Sequence, residues 1–347
     1  MAKHLTKLTV LLLILLGSLT ALMAQDAVFS QFYAAPLLLN PAFAGTSRAP
    51  SLAINHRSQN VGFDNGGIPY QTYAVSYGQL IEPLRSGVGL SVFADNAGVG
   101  TVSTYAATAY YSYQVRIDRN QSIRIGMSAG VRQQQIDWDR LKFLDQANSI
   151  TGFVDLSGND NPTMEVPPGQ TTVLVPDFGA GMLYASKVAY AGFTLDHLTT
   201  PDDRILVTGP EGFYTGYPMR LSVHAGTQIN LSPNTAKGGK FVTPNVLYTR
   251  QGPFEQLNAG AYVGFDQLFG GAWFRHSFGN PDAAIAVIGV EWDMYKFGYS
   301  YDFTVSDLSS ESSGTHEISL QLNFDKAWWI KKKRQSERNN DCLQLFR

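Results

Sequence analysis

The sequence predicts an all-β fold: an antiparallel transmembrane β-barrel of about fourteen strands, formed after a signal peptide is cleaved. Three observations predict it. Apolar and polar residues alternate over runs of roughly 8–14 residues, longer than the ~5–6 usual in soluble sheets and matched to the ~9–11 that a tilted strand needs to cross a bilayer. Charged residues make up only 16% of the 347, against ~25% in a soluble domain. The chain also opens on a short apolar run behind two lysines.

Residues 1–24 read as the signal peptide. Lys3 and Lys7 supply the positive start, Leu8 to Leu16 the apolar run, and Gly17, Ser18, Ala21 and Ala24 the small residues, with cleavage after Ala24. An N-terminal membrane anchor is the alternative, but the run falls short of the ~20 apolar residues of a span. No cysteine follows it to carry a lipid.

Residues 25–50 form a separate N-terminal periplasmic or plug segment. They do not alternate, yet they carry Phe29, Phe32, Tyr33, Leu37, Leu38, Leu39 and Phe43. Leaving that much apolar surface in water costs ~25 cal/mol per Å², so the segment must bury itself, in the barrel or against a partner. Asn40-Pro41 signals a bend, and Gln31 is placed to satisfy backbone groups. Phe29, Gln31, Tyr33, Asn40, Pro41, Phe43 and Gly45 are therefore the candidate partner-docking or plug element; a passive lumen plug is the alternative to docking.

Residues 51–325 are the barrel. Strands are expected near 51–58, 70–80, 87–95, 102–117, 122–136, 176–186, 188–197, 219–231, 240–250, 255–266, 268–278, 283–294, 296–306 and 314–324. In the last of these, Ile318, Leu320, Leu322 and Phe324 share one face while Glu317, Ser319, Gln321 and Asn323 share the other, because successive strand side chains point to opposite faces. The polar faces are mostly Gly, Ser, Thr and Gln, which suits a filled lumen better than the charged outer face of a soluble β-sandwich. Val223, Val290 and Leu320 fall in the lipid-facing register near mid-membrane. Arg124, Arg132, Arg220, Arg250, Arg275, Glu291, Asp302 and Glu317 fall in the inward one, where they would either pair in a closed barrel or line a channel. Tyr110, Tyr111, Tyr113, Trp292, Tyr295, Tyr299, Tyr301, Phe303, Trp328 and Trp329 are candidates for the aromatic girdles of the two interfaces.

Two connections are long, 137–175 (with a possible short helix over Trp138–Leu144) and 198–218. An even strand count puts both chain ends on the periplasmic side and these loops outside. Residues 326–347 are a basic periplasmic tail with seven basic residues against Glu337 and Asp341. Its Lys331, Lys332, Lys333 and Arg334 could contact acidic periplasmic partners or lipid phosphates, or serve only as a solvated charge run. The stretch 25–325 is acidic, with 17 basic and 26 acidic residues.

The residues argue against several classes of chemistry. One cysteine, Cys342, excludes a disulfide framework. His56, His197, His224, His276 and His316 lie one per segment with no metal-ligand spacing. No Ser occupies a nucleophile elbow, and Gly87-Val88-Gly89 lies in a strand, not before a phosphate-binding helix. A net charge of −2 gives no footprint for nucleic acid. No enzyme, metal or cofactor is expected. Two classes of function remain: a non-enzymatic secretion and anchoring barrel, and an outer-membrane porin or small-molecule channel.

The opening segment carries a further signal. Gln25-Asp26, then Phe29-Ser30-Gln31-Phe32-Tyr33, Pro36 and Leu39-Asn40-Pro41-Ala42-Phe43-Ala44-Gly45 resembles the opening signature of the PorP/SprF family of type IX secretion system membrane proteins. Asn55-His56-Arg57-Ser58-Gln59, Phe297-Gly298-Tyr299-Ser300-Tyr301-Asp302 and Gly314-Thr315-His316-Glu317-Ile318-Ser319-Leu320 extend the resemblance, as does a tail with a basic run, Cys342 and Phe346. The tail departs from the family pattern at Leu343-Gln344-Leu345, where a Pro would be expected. The resemblance implies an integral outer-membrane barrel, contacting outer-membrane lipids, that serves type IX secretion and, in gliding bacteria, adhesin export. Its implied partners are the C-terminal domain of a secreted surface protein or adhesin and periplasmic secretion components, with no enzymatic activity.

Overall fold

The computed structural model describes residues 26–47, 49–59, 70–97, 101–148, 150–155, 157–200, 217–231, 240–278, 280–305, 314–324, 343 and 346. The expected signal peptide, Trp328, Trp329, Lys331, Lys332, Lys333, Arg334 and Cys342 lie outside the described residues.

Fourteen antiparallel strands close into a ring: β1 (Ser51–Gln59), β2 (Tyr70–Ile81), β3 (Ser86–Ala97), β4 (Val102–Arg116), β5 (Ser122–Ile136), β6 (Thr172–Ala185), β7 (Ala189–Asp196), β8 (Arg220–Thr227), β9 (Phe241–Gln251), β10 (Phe254–Phe265), β11 (Leu268–Ser277), β12 (Asn280–Trp292), β13 (Tyr295–Thr304) and β14 (Thr315–Asn323). β8 resumes as Ile229–Asn230 beyond Gln228, and both pieces pair with β9. β1 pairs with β14 from Ser51↔Asn323 to Gln59↔Thr315, which removes the last free edge. β6 begins at Thr172, earlier than the expected 176, and carries Pro176 within the strand.

The alternation follows from what each face meets. Ile318 points out of the barrel beside fully buried Glu317 and Ser319; Val223 points out beside Ser222 and His224. Val290 also points outward, but it pairs with Leu268 at the start of β11, so it lies near a mouth and not at mid-membrane. Tyr111, Tyr113, Trp292 and Tyr295 project outward near that mouth, and Tyr70, Tyr73, Tyr105 and Phe303 near the other. These are the positions where amphipathic rings favour the interface. Tyr110 differs from the girdle expectation: it points into the lumen, its hydroxyl 2.9 Å from Ser91 Oγ. Arg250 differs too. It lies on the outward face and pairs with Glu255 at 3.4 Å, because its register is that of Val246 and Tyr248.

The two mouths are unequal. The strand ends that lead into the connections 60–69, 137–171, 197–219 and 305–314 lie at one mouth; at the other, most connections are short turns, among them 82–85, 186–188, 266–267 and 293–294. Asp266 and Asp293 adopt φ of 54° and 53° in two of these, a left-handed geometry that Asp tolerates better than most residues. In place of one short helix, the first long connection has two 3₁₀ turns, Trp138–Arg140 and Leu144–Gln146.

The registers give a direct test. Val223→Arg or Leu320→Arg should destabilise the barrel by about 2–4 kcal/mol and Val290→Arg by about 0–1 kcal/mol. Urea unfolding of the protein refolded in lipid vesicles would measure the difference, and equal costs at the three sites would overturn the depth assignment.

Candidate functional site: the plug and its seats

The lumen is occupied by the chain's own residues 26–47. Local sequence sets their shape. Pro36 opens a single helical turn, Pro36–Leu39, and Pro41 opens a 3₁₀ turn, Pro41–Phe43; proline is suited to this first position because its missing N–H has no helical partner there. Asn40 caps the second turn by accepting from Ala42 N at 2.8 Å. The wall makes room where plug backbone touches it. A Cβ on Gly87 or Gly126 would collide with the backbone at Ala44 or Ala42.

All seven candidate residues, Phe29, Gln31, Tyr33, Asn40, Pro41, Phe43 and Gly45, lie inside the barrel. Gln31 uses its full capacity: its amide donates to Ser300 Oγ (3.1 Å) and Glu317 O (3.0 Å), and its Oε1 accepts from Ser319 Oγ (2.6 Å) and Tyr33 Oη (3.0 Å). Asn40 Nδ2 donates to Met182 O and Phe193 O, both at 3.1 Å, and lies 3.1 Å from His224 Nε2. Tyr33 meets Tyr262 edge-on at 4.9 Å and Phe269 at 5.8 Å, with Lys296 Nζ 5.3 Å from its ring centre. Phe43 stacks on His224 at 5.5 Å. Phe29 packs with Ala35, Ala74, Leu38 and Phe93. Gly45, at φ +66°, turns the chain past Leu80 and Gly87 toward β1.

Two charged seats hold the segment. In the first, Ser30 hydroxyl accepts from Arg57 (2.7 Å) and Arg275 (2.6 Å) and donates to Asp302 (2.6 Å). Glu317 takes the backbone N–H of Ser30 and of Gln31, one on each oxygen, at 2.8 Å. Arg57 lies 3.3 Å from Glu317, and Arg275 lies 2.9 Å from Asp302. The inward charges of this cluster are therefore paired. In the second seat, Asp26 receives His197 Nε2 (2.7 Å), Tyr217 Oη (2.8 Å), Arg132 (3.0 Å) and Arg220 (3.1 Å). His197 follows β7 at φ +58° and gives its other ring nitrogen to Asp177 at 2.9 Å. The partners of Asp26 lie toward the mouth with the long connections, opposite the mouth where Ser51 starts β1 and Asn323 ends β14, so the first described residue differs from the expectation that both chain ends share one side: the plug threads the lumen before β1 begins. A cavity of about 120 Å³ remains beside the plug there, lined by Phe29, Leu38, Phe93, Tyr110, Arg132 and Arg220 among others.

Sequence reasoning missed Asp26, Ser30, Arg57, His197 and Tyr217 as seat residues. It also missed an apolar inner sector made by Tyr262, Phe269, Trp273, Ile285 and Val287, all buried. That sector left a trace: 268–274 and 283–290 are apolar on both faces, as expected where the inner face meets an apolar plug. It meets Phe32, edge-on to Trp273 at 4.9 Å.

Burial raises the Asp26 carboxyl, but His197, Arg220 and Arg132 outweigh it and hold the group well below the usual carboxylate range. Burial lowers the His197 imidazolium, but Asp26 and Asp177 outweigh it and raise its pKa from 6.5 to about 9. The His197 contribution is thus full below about pH 6.5 and lost as pH rises through about 9, while the Asp26 contribution is present above about pH 4 and lost on further acidification.

The closed ring with its lumen filled by an N-terminal segment defines the class: a plugged, outer-membrane-type β-barrel. Residues 21–322 match the family described as type IX secretion system membrane protein PorP/SprF, and the chain belongs to that family. No curated protein matches it in sequence. Among solved structures it is similar to the P. putida toluene transporter TodX, at 12% identity and a TM-score of 0.46 over 82% of this chain and 92% of that one. It is also similar to a mutant Rh. blastica porin, at 9% identity and 0.35 over 79% and 99%, and to BamA from Haemophilus ducreyi, at 9% and 0.36 over 79% and 70%.

Two outcomes are expected. Amide-exchange protection of Ala27 and Val28 should fall as pH rises from 7 to 9 in the native chain, and His197→Gln should abolish that pH dependence. Asn40→Ala should cost about 1–3 kcal/mol, since it leaves buried groups unpaired. A loss under about 0.5 kcal/mol in vesicle unfolding, below the worth of one ordinary hydrogen bond, would contradict the bonds from Asn40 to the Met182 and Phe193 carbonyls.

Proposed function

We propose that this chain is a non-enzymatic outer-membrane barrel, closed by its own N-terminal segment, that assists type IX secretion and holds partner proteins such as gliding adhesins at the cell surface. The filled lumen is the observation that carries this reading. A porin or small-molecule channel requires a continuous aqueous path, whereas in this barrel the plug is fixed by two charged seats and by Asn40 and Gln31.

The long connections face outward, where the C-terminal domain of an exported protein would dock. The short-turn mouth, with Ser51 and Asn323, faces the periplasm. Lys331, Lys332, Lys333 and Arg334 follow β14 in sequence and contact acidic groups of periplasmic secretion components or lipid phosphates. Direct docking through Phe29, Gln31, Tyr33, Asn40, Pro41, Phe43 and Gly45 requires the segment to leave the lumen, because these side chains are covered in the seated state. The segment therefore acts first as a plug that fixes the mouths against which partners bind. The outward residues contact outer-membrane lipids throughout.

The reading is tested by replacing Tyr33, Asn40 and Phe43 together with Ala and following barrel level and partner export separately. A heat-modifiable barrel that no longer exports its partner supports it, and normal export from a normal barrel refutes it. In planar bilayers the native protein should give no steady open conductance.

A further inference from the structure

The connection between β5 and β6, residues 137–171, is built inside out. Polar groups set its shape. The Asp145 carboxylate accepts from Thr163 Oγ1 (2.9 Å) and from Met164 N (2.6 Å). The buried Gln146 side chain accepts from Phe143 N (2.8 Å) and donates to Asn161 O (2.6 Å), while Asn161 Nδ2 donates to Gln146 O (2.8 Å) and Gly152 O (3.1 Å). These bonds gather 143–146, 152 and 161–164 into one lobe that rises from the ends of β5 and β6 at the mouth with the long connections. Apolar side chains stand on its outside: Leu144, Ile150, Met164 and Val166 are 89%, 90%, 92% and 77% exposed, and Phe153 is exposed too. Leu144 and Met164 are neighbours, because the carboxylate of Asp145 holds the backbone of Met164. Single apolar residues scattered over a surface are ordinary, but several on one hydrogen-bonded lobe, set among charges, mark a surface that another molecule covers.

The charges say what covers it. The connection carries six acidic residues against two basic ones. Both basic ones pair within it, Arg140 with Asp137 at 3.0 Å and Lys142 with Asp160. Asp139 and Glu165 are exposed, the latter between Met164 and Val166. Backbone N–H groups, chiefly those of Met164 and Asn159, hold the Asp145 and Asp155 carboxyls below the usual carboxylate range, so the surplus of negative charge persists in mild acid. A second copy of this chain would set the same surplus against itself, and a lipid surface bearing phosphates would be repelled likewise. We propose that this lobe docks an exported protein, through a patch of that protein's surface in which apolar side chains are ringed by lysine or arginine. The proposal rests on the secretion role and outward orientation given above, and it adds the chemistry of the partner that binds there. Burial of Leu144, Ile150, Met164 and Val166 supplies the main gain, and the carboxylates steer and orient the approach.

The test uses the full-length chain with Cys342→Ser, expressed in its own bacterium in place of the native chain, with one reporter thiol, Met164→Cys. A membrane-impermeant benzophenone maleimide is attached on intact cells and illuminated, and the cross-linked peptides are sequenced. The expected adduct is an exported protein, joined through a segment in which apolar residues stand among lysines or arginines. Adding Leu144→Ser, Ile150→Ser and Val166→Ser should lower its yield by about fivefold or more with heat-modifiable migration unchanged. Asp139→Asn with Glu165→Gln should lower it by about threefold at low salt and make it less sensitive to added salt. An adduct with a second copy of this chain or with lipid overturns the proposal, as does an adduct that neither set of changes lowers, or none from Met164→Cys and from a second reporter, Leu144→Cys. The secretion role is read separately: export that continues in a strain lacking the chain sinks that role, whereas export lost in that strain and kept with the three serines sinks only the docking surface.

Discussion

The grip of the Glu317 carboxylate on the backbone N–H groups of Ser30 and Gln31 is the contact on which the rest of the lumen depends. A carboxylate turned into a closed barrel is expensive unless paired, and plug backbone buried away from water must also find partners. Each group solves the other's problem. Once Ser30 is set there, its hydroxyl sits between two guanidinium groups and Asp302, accepting twice and donating once. Arg57 and Arg275 then face Asp302 and Glu317 as a neutral cluster of two and two. Sliding the plug by one residue would break every one of these contacts together.

From that point the segment meets two kinds of wall. Gln31 and Tyr33 run along β13 and β14, where Ser300, Ser319 and Gln321 supply hydrogen bonds, while the rings of Phe32 and Tyr33 turn toward Trp273, Tyr262 and Phe269. Asn40 crosses to β6 and β7 and takes two strand carbonyls. Close approach at Gly87 and Gly126 lets backbone rest on backbone before the chain enters β1. The apolar half and the polar half of the lumen thus answer the two faces of one short segment, which explains why an inner wall can carry Ile285 and Val287 as readily as Arg132.

The outside of the barrel obeys a simpler rule, because lipid is uniform. Outward positions are apolar in the middle of the strands and aromatic near their ends, and inward positions vary with the residue they touch. The unequal mouths follow from connection length alone. The mouth with long connections also holds the Asp26 seat and the remaining cavity; the other carries mostly short turns.

The sequence by itself determined the barrel. Strand number and spans were legible because lipid imposes one requirement at every outward position, so Ile318, Leu320 and Leu322 announce their face without reference to any other strand. It also determined that residues 29–45 bury themselves, since seven large apolar side chains outside any strand leave no other option. Only the tertiary structure decided where they go and what holds them. The seat of Ser30 joins β1, β11, β13 and β14, and that of Asp26 joins β5, β8 and the connection after β7. Alternation puts Arg132, Arg220, Arg275, Asp302 and Glu317 on the inward face, but these partners are separated by up to 287 positions in the chain, and no local pattern says which meets which. Tyr110 and Arg250 show the same limit from the other side: a tyrosine suits a girdle or a lumen, and an arginine suits a lumen or the end of an outward strand. Their faces are set by register against neighbouring strands and by what lies opposite, a physical fact that exists only once the ring has closed.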